Sequence, residues 1–293
     1  IGLSPTSDLF FEGNVTVLID ITSVGTNATT TSAQQKTVSI TNDDAAPTVS
    51  IAVTPDALIE DAGTFANVTV SLDAVSNLPT TVTFAKTGTA TSTDYQMNNS
   101  VVIAAGASSA VVQLFAVLDT LFERNETVVI SLGTLTNGLA SSTANQVTVN
   151  ISNDDPVPSV SLTVATSTIN ENVGVTSTNV TVTLNTLSGI PVSMSFLKTG
   201  GNPAALDITD YTLADTITIP AGSISTTTTL VAKSDAIDEA SEKVVITIAN
   251  VVDGSIFAGT QDEEVTILDS NDSPTVTLLV GTNTITENLG SST

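Results

Sequence analysis

Short runs in which apolar and hydroxyl-bearing residues alternate recur along the chain, as in Asn67-Val-Thr-Val-Ser-Leu72 and Thr81-Val-Thr-Phe-Ala-Lys86. A period of two sends successive side chains to opposite faces of an extended backbone, so each run predicts a strand with one buried and one wet face. After Pro47 the runs fall at 48–53, 67–72, 81–86, 101–103, 110–117, 126–132 and 146–151. Seven short strands separated by turn residues predict an antiparallel β-sandwich. Helical periodicity is absent, and very little helix is expected.

The pattern repeats at the length of a domain. Glu60-Asp-Ala-Gly63 matches Glu171-Asn-Val-Gly174 and Glu287-Asn-Leu-Gly290, at spacings of 111 and 116 positions. Other landmarks keep step: Pro47-Thr-Val with Pro158-Ser-Val and Pro274-Thr-Val, Asp94-Tyr95 with Asp210-Tyr211, and Ile103-Ala-Ala-Gly106 with Ile219-Pro-Ala-Gly222. The chain therefore divides into the second half of a module (1–46), two whole modules (47–157 and 158–273) and the start of another (274–293). Each junction places acids before proline, as in Asn153-Asp154-Asp155-Pro-Val-Pro158. Proline stiffens a short connection and favours extended geometry before it, which predicts modules joined end to end in a rod.

Composition narrows the chemistry. Aromatics are 3% of the residues and Trp is absent, so the cores are built from small β-branched side chains, which suit strands. A net charge of −24, from 30 acids against 6 bases, disfavours nucleic acid and anionic membrane surfaces and favours cations. With no Cys and no His, disulfides, zinc sites of the usual ligand types and His-based catalysis are excluded. No apolar run has the length of a transmembrane helix, so no membrane insertion is expected of this segment, and any targeting segment lies elsewhere.

The acids are placed by the repeat. Asp119-Thr-Leu-Phe-Glu123-Arg-Asn-Glu126 crowds three carboxylates in front of a strand-like run, and Asp235-Ala-Ile-Asp238-Glu239-Ala-Ser-Glu242 and Asp8-Leu-Phe-Phe-Glu12 do the same. Crowded carboxylates repel, which calls for a positive partner, and in a chain this poor in Lys and Arg that partner is a metal ion. Calcium fits best, because it takes six to eight oxygens and tolerates irregular loops, whereas magnesium demands stricter octahedral geometry. The candidate ligands of the first whole module are Glu60, Asp94, Asp119, Glu123, Glu126, Asp154 and Asp155. Those of the second are Glu171, Asp210, Asp235, Asp238, Glu239, Glu242 and Asp272; the leading half supplies Asp8, Glu12, Asp43 and Asp44, and the trailing piece Glu287. Val15 stands at the place of Glu126 in the leading half, and Ser273 at the place of Asp155 after the second module, so fewer or weaker ions are expected there.

The combination Glu-x-x-Gly, Asp-Tyr, Asp-x-x-x-Glu-x-x-Glu and a closing Asn-Asp-Asp resembles the Calx-β domain across both modules and both end pieces. The resemblance implies a seven-stranded immunoglobulin-like sandwich. That family occurs in the calcium-sensing loop of sodium–calcium exchangers, in integrin β4 and in tandem arrays on microbial surface proteins. It also implies that the matching acids are the calcium ligands. The expected function is non-catalytic: a calcium-stiffened stalk or filament of an extracellular adhesin or matrix protein, with neighbouring modules, and lateral or head-to-tail copies of the chain, as partners. A calcium sensor whose module pair changes angle on ion binding is the alternative. Glycosidase chemistry by a pair such as Glu123 and Glu126 would need an aromatic-lined cleft, which this composition disfavours. Runs such as Ser225-Thr-Thr-Thr-Thr229 read as exposed strand faces, not as a carbohydrate- or protein-binding surface.

Overall fold

The computed structural model describes residues 2–29, 32, 34–201, 203–205, 209–259, 261–271 and 274–281. Two compact units divide the chain, Ile1–Pro156 and Val157–Thr293. The chain is all-β and built from β-sandwich modules; the helical content among the described residues is one 3-10 turn, Glu60–Ala62.

The first unit opens with a hairpin of β1 (Val15–Asp20) and β2 (Gln35–Ile40). The sandwich follows with β3 (Thr48–Thr54), β4 (Ala57–Ile59), β5 (Phe65–Leu72), β6 (Thr80–Gly88), β7 (Tyr95–Met97), β8 (Ser100–Ile103), β9 (Ser109–Ala116), β10 (Glu126–Thr136), β11 (Leu139–Ala140) and β12 (Gln146–Ser152). All seven runs expected from alternation are strands; β4, β7 and β11 are too short to show a period and were not anticipated. One sheet has the order β4-β12-β10-β6-β8 and the other β11-β3-β5-β9-β7. The pairs are antiparallel except at two edges, where β4 runs parallel to β12 and β11 parallel to β3.

The core lies between the sheets. In β5 the burial alternates strictly, with Ala66, Val68, Val70 and Leu72 inside, facing Val128 and Ile130 of β10. At about 25 cal/mol per Å² of buried apolar surface, a fully buried Val or Ile contributes about 1.5–3 kcal/mol, so many small side chains replace the usual few aromatic ones.

The second unit repeats the plan with β13 (Ser159–Val164), β14 (Thr168–Asn170), β15 (Ser177–Leu184), β16 (Val192–Gly200), β17 (Tyr211–Thr212), β18 (Thr216–Ile219), β19 (Ser225–Ala232), β20 (Glu242–Val252), β21 (Ser255–Ile256) and β22 (Asp262–Leu268). Its sheets, β17-β19-β15-β13-β21 and β14-β22-β20-β16-β18, enclose a separate core that includes Val180, Val182, Ile246 and the buried Tyr211.

This topology places one set of strand ends together. β10 pairs β12 with Glu126 opposite Ile151, and pairs β6 with Val128 opposite Gly88. β4 ends at Ile59 opposite Ser152, and β7 begins at Tyr95 opposite Ala116. The segments just beyond β4, β6, β9 and β12, and just before β7 and β10, therefore crowd one end of the sandwich, and they carry the acids.

Candidate metal centre

The first acid follows β4. Glu60 opens the 3-10 turn, which closes at Gly63 in the left-handed region (φ 61°), where a side chain would be strained. That turn accounts for the Glu-x-x-Gly spacing, repeated at Gly174 (φ 83°). Glu60 is only 4% exposed, and its Oε2 is buried with no hydrogen-bond partner.

The second follows β6. Gly88 lies so close to Thr127 that a Cβ would collide with the Thr127 carbonyl oxygen. This close approach lets the Ala90 N–H donate to that oxygen (3.1 Å), so the 89–94 turn folds back over the start of β10. Asp94, 5% exposed, is clasped by the turn: Oδ2 accepts from the Thr91 N–H (2.5 Å) and hydroxyl (2.9 Å), and Oδ1 from the Thr93 hydroxyl (2.8 Å).

The remaining acids lie on two braced loops. Asp119 Oδ1 accepts from the Leu121 N–H (2.8 Å), and Asn153 Oδ1 accepts from the Glu123 N–H (3.0 Å). The Asn153 amide donates to the Asp155 carbonyl (3.0 Å), while the Asn153 N–H donates to Asn125 Oδ1 (3.2 Å). The leading half repeats this brace: Asn42 accepts from the Glu12 N–H (3.2 Å), donates to the Asp44 carbonyl (2.9 Å) and is held by Asn14 (2.9 Å). The asparagine of the closing Asn-Asp-Asp thus holds the acid loop in place at Asn42 and Asn153, and its recurrence at those two positions is the signal for it in the sequence.

Carboxylate oxygens of Asp94, Glu123 and Glu126 come within 4.8 Å of one another. Burial, the hydrogen bond to Asp94 and the charges of Asp94 and Glu123 push Glu126 up to about 7. Burial also opposes ionisation of Asp94, but the bonds from Thr91, Thr93 and Glu126 outweigh it and hold Asp94 below its ordinary value. Without a cation, the pair is a carboxylic acid donating to a carboxylate. Glu60 is raised to about 7 by burial and then by Asp119, Glu123, Asp155 and Asp154. Glu123 is raised by burial, Asp94, Asp119 and Asp155. Each of the seven candidate acids of this module is thus either raised by, or acts on, at least one other of the set. The leading half behaves alike, with Asp44 raised by burial, Asp43, Asp8 and Glu12.

In the second module Glu171 (7% exposed) and Asp210 (8%) take the places of Glu60 and Asp94, and Glu171 Oε2 is again buried with no hydrogen-bond partner. Glu242 is raised by burial and by its bond to Asp210. Glu171 is raised by burial, then Asp269, Asp235, Glu239 and Asp210; Glu239 is raised by burial, Asp235, Asp210 and Asp269. Asp269 was not among the expected ligands. Matching the closing Asn-Asp pairs aligns Asp272 with Asp154, but the strand register does not: Glu242 faces Ile267 as Glu126 faces Ile151, which puts Asp269 at the place of Asn153 and Asn271 at that of Asp155. Counting from Ile267 would have found it. Asp238 is exposed, stands at the place of Phe122 and Phe11, and is absent from the charges acting on Glu171, Glu239 and Glu242. Asp272 and Glu287 lie outside the described residues.

The donor set suits a hard cation. It is all oxygen, with neither thiolate nor imidazole, and in both whole modules the glutamate after the first strand pair, Glu60 or Glu171, has a carboxylate oxygen buried without a donor, a costly arrangement unless a positive charge faces it. Carboxylates on irregular loops, with Asp94, Glu123 and Glu126 close enough to share one ion, are of the type that calcium's flexible oxygen coordination accepts.

No protein-family model and no curated protein matches the chain. Among solved structures it is similar to the crystal structure of CBD12 from CALX1.2, at 19% identity over 68% of this chain and 79% of that one, with a TM-score of 0.33. A second is the calcium binding domain CBD12 of CALX1.1, at 18% identity over 68% and 78%, TM-score 0.33. A third is the apo-form Calx CBD1 domain, at 21% identity over 38% of this chain and 98% of that one, TM-score 0.32. None of the three assigns a role to a residue here.

Proposed function

We propose that this chain is a calcium-binding structural repeat region, a stalk or filament segment of a secreted surface or matrix protein, in which calcium stiffens each module and its junction. The observation that carries the reading is the convergence of Glu60, Asp94, Asp119, Glu123, Glu126, Asp154 and Asp155 at one end of a sandwich, with Glu60 Oε2 buried and undonated. Extracellular modules hold calcium at about 10⁻⁴–10⁻³ M, which a calcium-rich medium saturates. The work assigned to the ion is mechanical.

The junction inside the first unit supports this assignment. Phe11 and Ser76 form a bridge; the Phe11 carbonyl accepts from the Asn77 N–H (3.0 Å) and the Ser76 hydroxyl (3.1 Å). The Asn77 amide also donates to Glu12 Oε2 (3.3 Å). An acid of one module's loop thus touches the next module. That contact also favours the second reading, a sensor in which occupancy changes the angle between modules; sensing requires affinity near 10⁻⁶ M, against about 10⁻³ M for a stalk.

The test is calorimetric unfolding of the whole chain in calcium and in excess chelator, beside a Glu123→Ala, Glu126→Ala double variant. Calcium is expected to add about 2.7 kcal/mol of stability per site at a hundredfold excess over Kd, raising the melting temperature, and the variant to lose the first module's share. Unchanged melting on chelation would sink the proposal.

A further inference from the structure

The two acid centres are held together by different means. The strand register makes them comparable: Asn170 faces Leu268 as Ile59 faces Ser152, and Glu242 faces Ile267 as Glu126 faces Ile151. Asn172 therefore stands at the place of Asp61, and Asn271 at the place of Asp155. Asp235 stands at the place of Asp119, and its Oδ1 accepts from the Ile237 N–H (2.7 Å) as Asp119 Oδ1 accepts from the Leu121 N–H (2.8 Å). Two carboxylates of the first module are thus amides in the second.

Those amides join three segments. Asn271 Nδ2 donates to the carbonyls of Ile237 (2.8 Å) and Asp235 (3.4 Å), which ties the exit of β22 to the loop before β20. Asn271 Oδ1 accepts from Asn172 Nδ2 (3.1 Å), which also reaches the Asp235 carbonyl (3.5 Å). Asn172 Oδ1 accepts from the Ser234 hydroxyl, and the Asn172 N–H donates to Ser270 Oγ (3.2 Å). Both ends of both side-chain amides are used. The bonds span between 34 and 99 positions of sequence, unlike the short-range bonds that asparagine makes within a single turn. Ionised carboxylates at 61 and 155 cannot do this work, because they accept and never donate, and a carbonyl oxygen facing them repels. Only a donor or a cation can sit between such groups.

We propose that Asn172 and Asn271 form a hydrogen-bonded clasp that replaces, in the second module, the cation needed at Asp155 in the first, so that the two modules differ in how far their loops depend on calcium. The inference rests on the calcium reading above and adds a grading to it. Asp210, Glu239 and Glu242 keep the places of Asp94, Glu123 and Glu126, so the second module retains a calcium response at that cluster. What the clasp spares is the joining of the 171–172 turn, the 234–237 loop and the exit segment. When calcium is withdrawn, the first module loosens at its acid end while the second keeps these three segments together.

The test is amide hydrogen exchange of the whole chain, followed by NMR in calcium and in excess chelator, at Leu121 and Glu123 of the first module and at Asn172 and Ile237 of the second. Chelation is expected to speed exchange at least about tenfold at Leu121 and Glu123 and less than about threefold at Asn172 and Ile237. Asn271→Asp exchanges the donor for a ligand without changing shape. In chelator it should speed exchange at Asn172 and Ile237 about tenfold, and calcium should reverse the change. Asn271→Ala, which supplies neither donor nor ligand, should speed exchange as much and recover less in calcium. Equal responses of the two modules to chelation, or an Asn271→Asp variant that calcium rescues no better than Asn271→Ala, overturns the proposal. Exchange that chelation leaves unchanged in both modules overturns the calcium reading itself.

Discussion

At the scale of single residues the site is a set of carboxyls forced into different protonation states by their surroundings. Three donors from the 91–93 turn keep Asp94 ionised, while burial beside it keeps Glu126 protonated until about pH 7. Glu60 reaches the same value chiefly through burial. The sign of the pH dependence follows. A carboxyl whose folded pKa lies above its unfolded value contributes stability that is complete below the unfolded value, about 4.5, and disappears as pH rises through about 7. In chelator, the melting temperature should therefore fall from pH 5 to pH 8. Calcium must displace those protons, so its affinity should rise over the same range, by up to about tenfold per pH unit for each proton released below pH 7. Thermal melts and calcium titrations at pH 5.5, 6.5 and 7.5 measure both slopes; parallel slopes with and without calcium would show that Glu60 and Glu126 do not meet the ion.

At the scale of elements, strands supply rigidity and loops supply ligands. The acids sit just outside strand ends, so their positions depend on what holds each loop to its strand. For 119–125 that is Asn153, which joins Glu123, Asn125 and Asp155. Asn153→Ala removes two side-chain hydrogen bonds and should cost about 1–3 kcal/mol, with a larger fractional loss of calcium affinity than of strand content by circular dichroism. For the 89–94 turn the tether is the glycine at the end of β6. Gly88→Ala drives a Cβ into the Thr127 carbonyl and forces a φ of 123° on a residue with a side chain. Of the two, it is expected to be the more damaging, separating Asp94 from Glu126 and removing Glu126's share of the pH dependence above pH 6.

At the scale of the whole molecule, two separate cores fold under one sequence plan. The cluster around Val68 and Ile130 and the cluster around Val182 and Ile246 share no residue. Each module should therefore unfold as its own cooperative step, and a lesion in one site should leave the other's calcium response intact. Calorimetry of the Glu123→Ala, Glu126→Ala variant should resolve two transitions, with the calcium-dependent shift lost from one and kept in the other. A single transition losing its whole shift would mean the modules are thermodynamically fused. In metal-free protein the net charge of −24 adds a further term: added salt should raise the melting temperature by screening repulsion among the crowded acids.

Much of this was legible along the chain, for a definite reason. Alternation with a period of two is a local property, so β5, β6 and β10 and the repeat that carries them could be read from Val, Ile and Thr alone. Acids that keep register just outside those runs had to lie in loops. What no local pattern contains is which strand ends meet. Asp94 and Glu126 stand 32 positions apart, and only the β6–β10 register, with Gly88 opposite Val128, makes one carboxyl the proton donor of the other. The same non-local register added Asp269 to the acids of the second module, and revealed that Lys86 and Lys198, alike in sequence, differ in having a counterion. The sequence by itself determined strands, modules and the loops that bear charge; pairing register and burial, which arise only when distant segments share one interior, decided which charges meet and which protons they keep.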